Sequence, residues 1–482
     1  MAARNKGAAV NDIVFKPARA LARLLRTRKL SHVEVMKAFI AQVECVNPKV
    51  NAIVTFLPEQ ALDAARKRDR KSARGATGNG VLEGLPIAYK DMIATKGIRT
   101  TLGSPIYADN VPTEDALIVE RLKAAGAITL GKTNTPEFAA GSQTFNKVFG
   151  ATLNPWDLDK TCGGSSGGAA VAVACGMLPF ADGSDLGGSL RNPGNFCNVV
   201  GFRPTPGRIP VHPTPDAWAT LSVLGPIART VDDCAFLFSA MAGPDIRSPI
   251  SITEPGARFA RPLKRDFRKV RVAWSKNLGG LPVDKRVTAV LEKQRKVFES
   301  LGCLVEDAEP DLTGADEVFH VLRANSFAMR YAEMLKKHRD KIKDTVIWNI
   351  EEGLKLDGPR VGRAMALRSD LFRRMREFMD RYEFLCLPVN QVPPFPVSQP
   401  FVDTIDGVKL GNYIDWMKTA YYITVTSHPA ISVPAGFTND KLPLPVGLQV
   451  VGRYRDDFGV LQMAHAFEGE TRFGELRPPG TS

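Results

Sequence analysis

Apolar residues recur at helical spacing in the first part of the chain, most clearly over residues 35–40. Ser31, followed three positions later by Glu34, forms the signature of a capping box directly before this run. Helical patterning of this kind extends over residues 17–73. We therefore predict an N-terminal helical segment, residues 1–80, that packs on the rest of the protein.

After this segment, short apolar runs alternate with helical patterns. The runs LPIAYK at 85–90 and AITLGK at 127–132 are typical of strands, and residues 115–125 between them form an amphipathic helical pattern. Strands that alternate with helices in this way indicate an α/β architecture. The pattern predicts an α/β core over residues 81–245.

Beyond this core the sequence becomes more charged and more helical. A strand-like run, KVRVAW, occupies residues 269–274, and amphipathic segments occupy residues 287–301 and 362–381. We predict that residues 246–400 form a more variable, helical region on the substrate side, either inserted into the core or capping it.

The last part of the chain returns to short apolar runs. ITVTSHPAISVPAGF begins at Ile423 and LPVGLQVVGR begins at Leu444, and both are typical of strands. Residues 401–475 are therefore predicted to supply strands and a helix that complete the core, so that the chain forms one large domain.

Composition and charge narrow the possible partners. The 482 residues, 44% of them hydrophobic, are enough for a large buried core. The formal net charge of +13 comes from 64 basic and 51 acidic residues, but the basic residues are dispersed in short groups without flanking aromatic residues. A nucleic-acid footprint concentrates on one face. We interpret the charge as a solvated surface and expect no nucleic-acid partner.

Cysteine usage and the absence of apolar spans bear on the compartment. The seven cysteines are scattered, odd in number and without C-x-x-C spacing, which argues against a disulfide framework and a zinc site. The N-terminal residues lack the continuous apolar run of a signal peptide. The longest uncharged stretch, residues 161–181, is rich in glycine and serine and does not resemble a bilayer span. We expect a cytoplasmic protein without a membrane partner.

Residues 126–133, GAITLGKT, match the phosphate-binding pattern G-x-x-x-x-G-K-[ST]. A phosphate-binding loop follows a strand and opens a helix, because its N–H groups must surround the phosphates. Here the order is reversed, since a helical pattern ends at Gly126, which occupies a C-cap position, and residues 127–130 are typical of a strand. We therefore predict that no nucleotide binds to this segment.

Serine and glycine are crowded together over residues 161–205. Ser165 and Ser166 lie among four glycines, and Gly187 and Gly188 directly precede a third serine. Glycine adds no buried side chain and costs backbone entropy, so such crowding rarely serves packing. It does allow several N–H groups to point at one oxygen, which is what an oxyanion site requires.

Residues 163–167 also match G-x-S-x-G, the nucleophile elbow of the α/β-hydrolases. That elbow follows a strand directly, and NPWDLDKT at 154–161 is not predicted to be one. It also needs a later histidine, for which the candidates are His212, His428 and His465. His428 precedes a proline within an apolar run, which is typical of a structural core histidine. The elbow interpretation is therefore not supported.

Several segments occur together in an order that resembles the amidase signature family of Ser-Ser-Lys hydrolases. They are GLPIAYKD (84–91), GGSSGG (163–168), GSDLGGSLRNP (183–193), GPIART (225–230), PAISVPAGF (429–437) and LPVGLQVVG (444–452). The resemblance implies a large, mixed and twisted β-sheet that is covered by helices on both faces. It also implies that GAITLGKT is a family strand rather than a phosphate site.

The resemblance assigns catalytic roles by position. It implies that Ser189 is the nucleophile, Ser165 the bridging serine and Lys90 the base, with a cis peptide bond between Gly164 and Ser165. A serine hydroxyl needs a base that takes its proton, and lysine serves only if burial or charge lowers its pKa. Lys90 follows the apolar run LPIAY, which fits a buried stem.

The resemblance also assigns residues around the nucleophile. The N–H groups of Leu186, Gly187 and Gly188, together with that of the nucleophile, are expected to bind the developing oxyanion. The expected supporting residues are Asp185 and Arg191, which hold the turn by hydrogen bonding, and Ser166, which either assists or caps the following helix. Gly141 and Phe145 are expected to contact the substrate, together with the helical region of residues 246–400.

The implied activity is hydrolysis of carbon–nitrogen bonds in amides, with esters and carbamates (urethanes) as further substrates, and without metal or other cofactor. The partner is then a small-molecule amide or carbamate. The family also includes the amidase subunit of tRNA-dependent amidotransferases, which works with companion chains, and this alternative stays open, as does a binding protein without activity. A homodimer is compatible with the sequence, which does not determine the oligomeric state.

Overall fold

The computed structural model of the protein describes residues 12–74 and 80–481. Residues 1–11 and 75–79 of the predicted N-terminal segment lie outside this description. The helices are α1 (Ala18–Arg26), α2 (His32–Val50), α3 (Pro58–Ala73), α4 (Leu117–Ala124), α5 (Gly167–Ala174), α6 (Arg191–Phe196), α7 (Val231–Met241), α8 (Lys285–Leu291), α9 (Arg295–Ser300), α10 (Ala315–His338), α11 (Asp344–Leu354), α12 (Gly358–Arg381), α13 (Lys418–Val425) and α14 (Asp457–Thr471).

The strands include several that are only two residues long. They are β1 (Ile53–Phe56), β2 (Pro86–Lys90), β3 (Ile128–Thr133), β4 (Phe145–Asn146), β5 (Gly150–Ala151), β6 (Leu153–Asn154), β7 (Asp157–Thr161), β8 (Phe180–Asp185), β9 (Val200–Arg203), β10 (Val223–Ala228), β11 (Arg271–Trp274), β12 (Leu304–Asp307), β13 (Phe384–Pro388), β14 (Thr404–Ile405), β15 (Val408–Lys409), β16 (Ala430–Phe437) and β17 (Pro445–Gly452).

Residues 12–74 of the N-terminal segment are largely helical. The capping box is present, because Ser31 Oγ accepts from the N–H of Glu34 at 3.1 Å while Glu34 Oε2 accepts from the N–H of Ser31 at 2.8 Å. The segment is interrupted by β1, which pairs with β3 and was not predicted. A strand this short gains its stability from a distant partner, so its own sequence carries little signal.

The centre of the molecule is a mixed sheet in the order β12-β11-β13-β17-β16-β9-β10-β8. The strands β12, β11 and β13 are parallel to one another, and the remaining neighbours are antiparallel. A smaller sheet, in the order β1-β3-β2, carries the predicted strands LPIAYK and AITLGK. The α/β class and the mixed sheet agree with the prediction.

Alternate residues of a central strand face two separate hydrophobic cores. In β13, Phe384 and Cys386 join the core formed with α1, α2, α7 and α14. Leu385 and Leu387 of the same strand join the core formed with α10, α12 and α13. Helices therefore cover both faces of the main sheet. Within residues 12–74 and 80–481, no helix has the length and apolar composition that crossing a bilayer requires.

Three local predictions were wrong or incomplete. Residues 423–425 lie in α13 rather than in a strand, because a short apolar run fits either element and here packs against α10, where Tyr421 stacks on Phe319 at 4.1 Å. Residues 157–161 form β7, which pairs with β6 and, through a bridge at Lys160, with Pro396. The region 246–400 contains the strand predicted at KVRVAW, which is β11, and also β12 and β13, which were not predicted, and all three belong to the main sheet.

Candidate active site

Lys90 lies at the end of β2, whose five residues are all buried. Its Nζ lies 2.7 Å from Ser165 Oγ and 3.0 Å from the Oγ atoms of Ser166 and Ser184. Burial lowers the pKa of Lys90 to about 7, although the negative charges of Asp182 and Asp185 act to raise it. The structure thus holds a lysine that can carry or release a proton near neutral pH beside a serine hydroxyl.

The loop that carries Ser165 is fixed from several sides. The peptide bond between Gly164 and Ser165 is cis, as expected. The carbonyl of Gly163 accepts from Thr144 Oγ1 at 2.9 Å, and that of Gly164 accepts from Ser142 Oγ at 2.5 Å. Gly163 has a φ of +75°, a conformation that favours glycine. The glycines of this loop therefore shape the backbone that presents the serine.

Asp185, the last residue of β8, binds both side chains and backbone N–H groups of the turn that follows. It is fully buried and bonds to Arg191 Nη2 at 2.9 Å and to Arg203 Nη1 at 3.2 Å. Its carboxylate also accepts from the N–H groups of Gly188 at 2.8 Å and Leu190 at 3.2 Å. Burial acts to raise the pKa of Asp185, but these two guanidinium groups hold that pKa well below its usual value. The carboxylate is therefore ionised and ties the turn to the sheet.

The turn leaves a defined set of N–H groups for a ligand. Gly188 donates its N–H to Asp185, so this group holds the turn, and this revises the expectation that it faces an oxyanion. Within the part of the chain that the structure describes, the N–H groups of Leu186, Gly187 and Ser189 make no hydrogen bond. A Cβ on Gly187 would lie 2.8 Å from Phe319 Cζ, so only glycine fits there without displacement.

A cavity of about 650 Å³ opens beside these groups. Ser165, Ser184 and Ser189 line it, together with Leu186 and Gly187. Ser189 is partly exposed there, whereas Ser165 is only 1% exposed. The structure therefore brings Ser165 and Ser189 to one cavity, with Lys90 buried behind Ser165. A more open depression of about 810 Å³ near Lys336 contains none of the predicted site residues.

The two predicted substrate contacts differ in their placement. Gly141 lines the cavity with a φ of +97°. Phe145 does not, because its ring lies under the ammonium of Lys343, 4.0 Å from Nζ to the ring centroid. This corrects the expectation for Phe145, whose strand β4 turns its side chain toward the start of α11. Phe138, which sequence reasoning did not select, lines the cavity instead.

Other polar residues of the site were missed at the level of sequence. Ser184 contacts Lys90, Asp182 Oδ1 accepts from the Lys90 N–H at 3.2 Å, and Arg203 pairs with Asp185. Asp182 and Ser184 lie two residues apart in β8, so the period of a strand predicts that they share a face. Which face meets Lys90 follows only from the packing of β2 beside β8.

The rejected motifs have structural roles. Lys132 of GAITLGKT is buried within β3, and its Nζ bonds to Ile93 O at 2.5 Å and Thr95 Oγ1 at 2.8 Å, so it cannot reach a phosphate. His428 is buried, and burial lowers its pKa to about 4. Its Nδ1 lies 2.9 Å from Thr426 O. This histidine is therefore a neutral core residue.

One group of side chains in residues 12–74 and 80–481 has the composition of a metal site. Asp316, His320 and Asp415 place one potential ligand atom each within 4.8 Å of the others. Lys418 Nζ lies 2.7 Å from Asp316 Oδ2 and 3.9 Å from Asp415 Oδ1. The ammonium of Lys418 thus already supplies a positive charge to this cluster, which links α10 to α13.

Comparison with known proteins gives a consistent result. A family model described as Amidase matches residues 34–461. An acylamidase of Rhodococcus erythropolis is 39% identical over 462 residues, which cover 95% of this chain and 96% of that protein. A glutamyl-tRNA(Gln) amidotransferase subunit of Moorella thermoacetica is 35% identical over 491 residues, covering 97% and 99%.

The fold is shared as well. The crystal structure of a bacterial aryl acylamidase of the amidase signature family matches with a TM-score of 0.90 at 28% identity, covering 96% of this chain and 98% of that one. The 6-aminohexanoate cyclic dimer hydrolase matches with a TM-score of 0.87 at 25% identity, covering 97% and 100%. Sequence motifs, sheet topology and full-length similarity agree, and the chain belongs to the amidase signature family.

Proposed function

We propose that this chain hydrolyses the carbon–nitrogen bond of amides through an acyl-serine intermediate, with Ser189 as nucleophile, Ser165 as bridging serine and Lys90 as base. The observation that carries the proposal is the buried amine of Lys90, 2.7 Å from Ser165 Oγ. With a pKa of about 7, this amine is substantially neutral at neutral pH and mostly so at mildly alkaline pH, and only the neutral form accepts a proton.

The first half of the reaction forms the acyl-enzyme. Ser189 Oγ attacks the substrate carbonyl carbon, its proton passes to Ser165 Oγ, and the proton of Ser165 passes to Lys90 Nζ. The N–H groups of Leu186, Gly187 and the nucleophile donate to the oxyanion of the tetrahedral intermediate. The lysine ammonium then returns a proton through Ser165 to the leaving nitrogen, the carbon–nitrogen bond breaks, and the amine departs.

The second half releases the acyl group. A water molecule attacks the acyl-serine carbonyl, and its proton passes through Ser165 to neutral Lys90. When the intermediate collapses, Ser189 regains a proton by the same relay and the carboxylic acid leaves. Carbamates and esters place the carbonyl and leaving atom in the same way, so we propose them as further substrates.

The names of similar proteins support a small-molecule substrate. Two of them are called acylamidase or aryl acylamidase. A second candidate function, amidase subunit of a tRNA-dependent amidotransferase, is supported by the 35% identity to an amidotransferase chain of that kind. We favour the stand-alone hydrolase in the cytoplasm. Cys45 is exposed, the other six cysteines are buried, and no disulfide joins any of them in the described residues, which supports a reducing compartment.

The test is active-site labelling of wild type, Ser189→Ala and Ser165→Ala with a fluorophosphonate, followed by peptide mass spectrometry. We expect the label on Ser189 and none in folded Ser189→Ala. The same purified chain should release nitroaniline from a simple nitroanilide without glutamine, ATP or tRNA. Label on Ser165 contradicts the assignment of the nucleophile. Turnover that requires companion chains favours the amidotransferase, and a folded protein with neither label nor turnover favours a binding protein.

A further inference from the structure

Arg323 places a buried guanidinium in the wall of the catalytic cavity. It lies on α10, is only 4% exposed and lines the same cavity as Ser189. Its Nη2 donates to Tyr413 Oη at 2.7 Å, and that oxygen also accepts from Asn349 Nδ2 at 2.6 Å. This tyrosine is the one side chain among the described residues that hydrogen-bonds the guanidinium.

The charge of Arg323 has no carboxylate partner. Within residues 12–74 and 80–481, no acidic oxygen lies within 4.0 Å of its guanidinium, whereas the buried arginines Arg191 and Arg208 each pair with an aspartate. Buried charges are costly unless they are paired and hydrogen-bonded. A guanidinium carries five N–H donors, so most of its capacity is unused by the protein. The unused donors belong to a group that lines the cavity.

Two aromatic rings fix the guanidinium. Its Cζ lies 4.8 Å from the ring centroid of Phe327 and 5.6 Å from that of Tyr413. Such rings stabilise the cation and exclude water without satisfying its N–H donors. A planar guanidinium held in one orientation matches the two oxygens of a carboxylate.

The rest of the cavity wall reinforces the positive charge. Its one acidic side chain among the described residues is Asp216, whereas Arg330 and Arg368 are also in the wall. Arg368 is occupied, because it bonds to Val425 O at 3.1 Å and to Ser427 Oγ at 2.9 Å. Arg330 is exposed and screened by solvent. Among the described residues of the cavity wall, Arg323 is thus the buried cation whose N–H donors are mostly unpaired.

We propose that Arg323 binds a carboxylate on the substrate, remote from the bond that is cleaved. The substrate class is then an amide whose acyl or amine portion ends in a carboxylate, with an otherwise apolar body that suits the cavity. This inference rests on the proposed function of the site. It makes Arg323 a residue that selects the substrate and takes no part in the proton relay.

The test compares carboxylates with matched neutral carboxamides. On the acyl side the pair is the mono-4-nitroanilide of adipic acid and its terminal carboxamide. On the amine side the pair is the hexanoyl amide of 4-aminobenzoate and that of 4-aminobenzamide. We expect wild type to favour the carboxylate of at least one pair by about tenfold or more in kcat/KM, which corresponds to about 1.4 kcal/mol. Arg323→Met should bring this ratio close to one, and Arg323→Lys should retain part of it.

A control separates the local contact from net charge. Arg360 lies in α12, outside the cavity lining, with an exposed side chain that faces Glu317. Arg360→Met removes the same charge and should leave the carboxylate-to-carboxamide ratio unchanged. Circular dichroism and melting curves establish that each variant is folded. Equal kcat/KM for carboxylate and carboxamide in both pairs overturns the proposal, and so does a folded Arg323→Met that keeps the preference.

A binding measurement keeps this inference separate from the catalytic proposal. In Ser189→Ala, titration calorimetry compares the affinity of each carboxylate with that of its carboxamide, with and without Arg323→Met. A carboxylate preference that depends on Arg323 supports the inference even if wild type turns over no substrate, in which case the proposed function alone fails. Equal affinities for both members of each pair overturn the inference whatever the turnover.

Discussion

The turn after β8 (residues 186–190) and the helical wall of the cavity (α10 and α12) differ in whether buried charge is paired within the protein. In the turn, Asp185 lies between Arg191 and Arg203 and also accepts backbone N–H groups, so the charges are satisfied within the protein. In the wall, Arg323 has one tyrosine hydroxyl and two aromatic rings as neighbours. A closed network holds reacting groups in place, whereas an open donor is available to a ligand. We infer that the turn determines the chemistry and that the wall determines the substrate.

The largest expected effect tests whether Lys90 acts as the base of the proposed reaction. Lys90→Met removes the base but keeps a stem of similar length, and we expect kcat/KM for a nitroanilide to fall by at least about a thousandfold. Ser184→Ala is the matched control, because it removes one of the partners of Nζ and leaves the base, so a loss of about tenfold or less is expected. Retention of more than about 1% of wild-type activity in Lys90→Met contradicts the proposed base.

The second prediction concerns Asp185→Asn, which removes the carboxylate that pairs with Arg191 and Arg203. It leaves two buried guanidinium groups without a charged partner, and we expect the free energy of unfolding to drop by about 3–5 kcal/mol. Asp63→Asn is the comparison, since its pair with Arg66 is exposed, and about 0–1 kcal/mol is expected there. Urea unfolding measures both. Equal losses in the two variants show that the buried network does not hold the turn more strongly than a surface pair does.

The pH dependence sharpens the role of charge around the base. Since only neutral Lys90 accepts a proton, kcat/KM should rise with pH through an apparent pKa of about 7. The carboxylate of Asp182 favours the ammonium form and so raises the pKa of Lys90. Asp182→Asn should therefore move the rising limb to lower pH, with Asp63→Asn as a variant that leaves it in place. A limb that moves to higher pH contradicts this account.

The smallest expected effect concerns the outer side of the helical wall. Gly362 is exposed within α12, and a Cβ there meets no atom within 4 Å. Gly362→Ala should stabilise the protein by about 0.5–1 kcal/mol, because alanine favours the helix and restricts the unfolded chain. Thermal unfolding measures the gain. Destabilisation by this substitution indicates that residue 362 has a contact that the structure does not show.

Local sequence signals predicted much of the site but not how its parts are joined. Ser165 and Ser189 were selected as candidates by their glycine-rich surroundings together with family motifs, and Lys90 by its motif after an apolar run. The partners of Arg191 show why the rest was not predictable, because Gln449 lies 258 positions away along the chain and yet accepts from its Nη1 at 2.5 Å. No local pattern reports a contact over such a separation.

The helical wall was harder still to interpret. Arg323 lies in a helical run of mostly apolar and uncharged residues, VFHVLRANSFAM at 318–329, and nothing in this local pattern shows that its guanidinium faces a cavity. Its burial depends on Phe327 from the same helix and on Tyr413 from a loop ninety positions later. Phe145 shows the converse, because an aromatic residue near the catalytic loop turned away from the cavity and toward Lys343.

The sequence by itself determined the α/β class and the family and predicted the roles of the two serines and the lysine, because strand periodicity and ordered motifs are local properties of the chain. The tertiary structure alone decided that Gly188 holds the turn instead of facing the cavity, that Ser184 and Asp182 meet Lys90, and that Arg323 is buried without a carboxylate. These depend on which surfaces meet when the sheet and helices pack, and burial, which sets the pKa of Lys90, exists only after that packing.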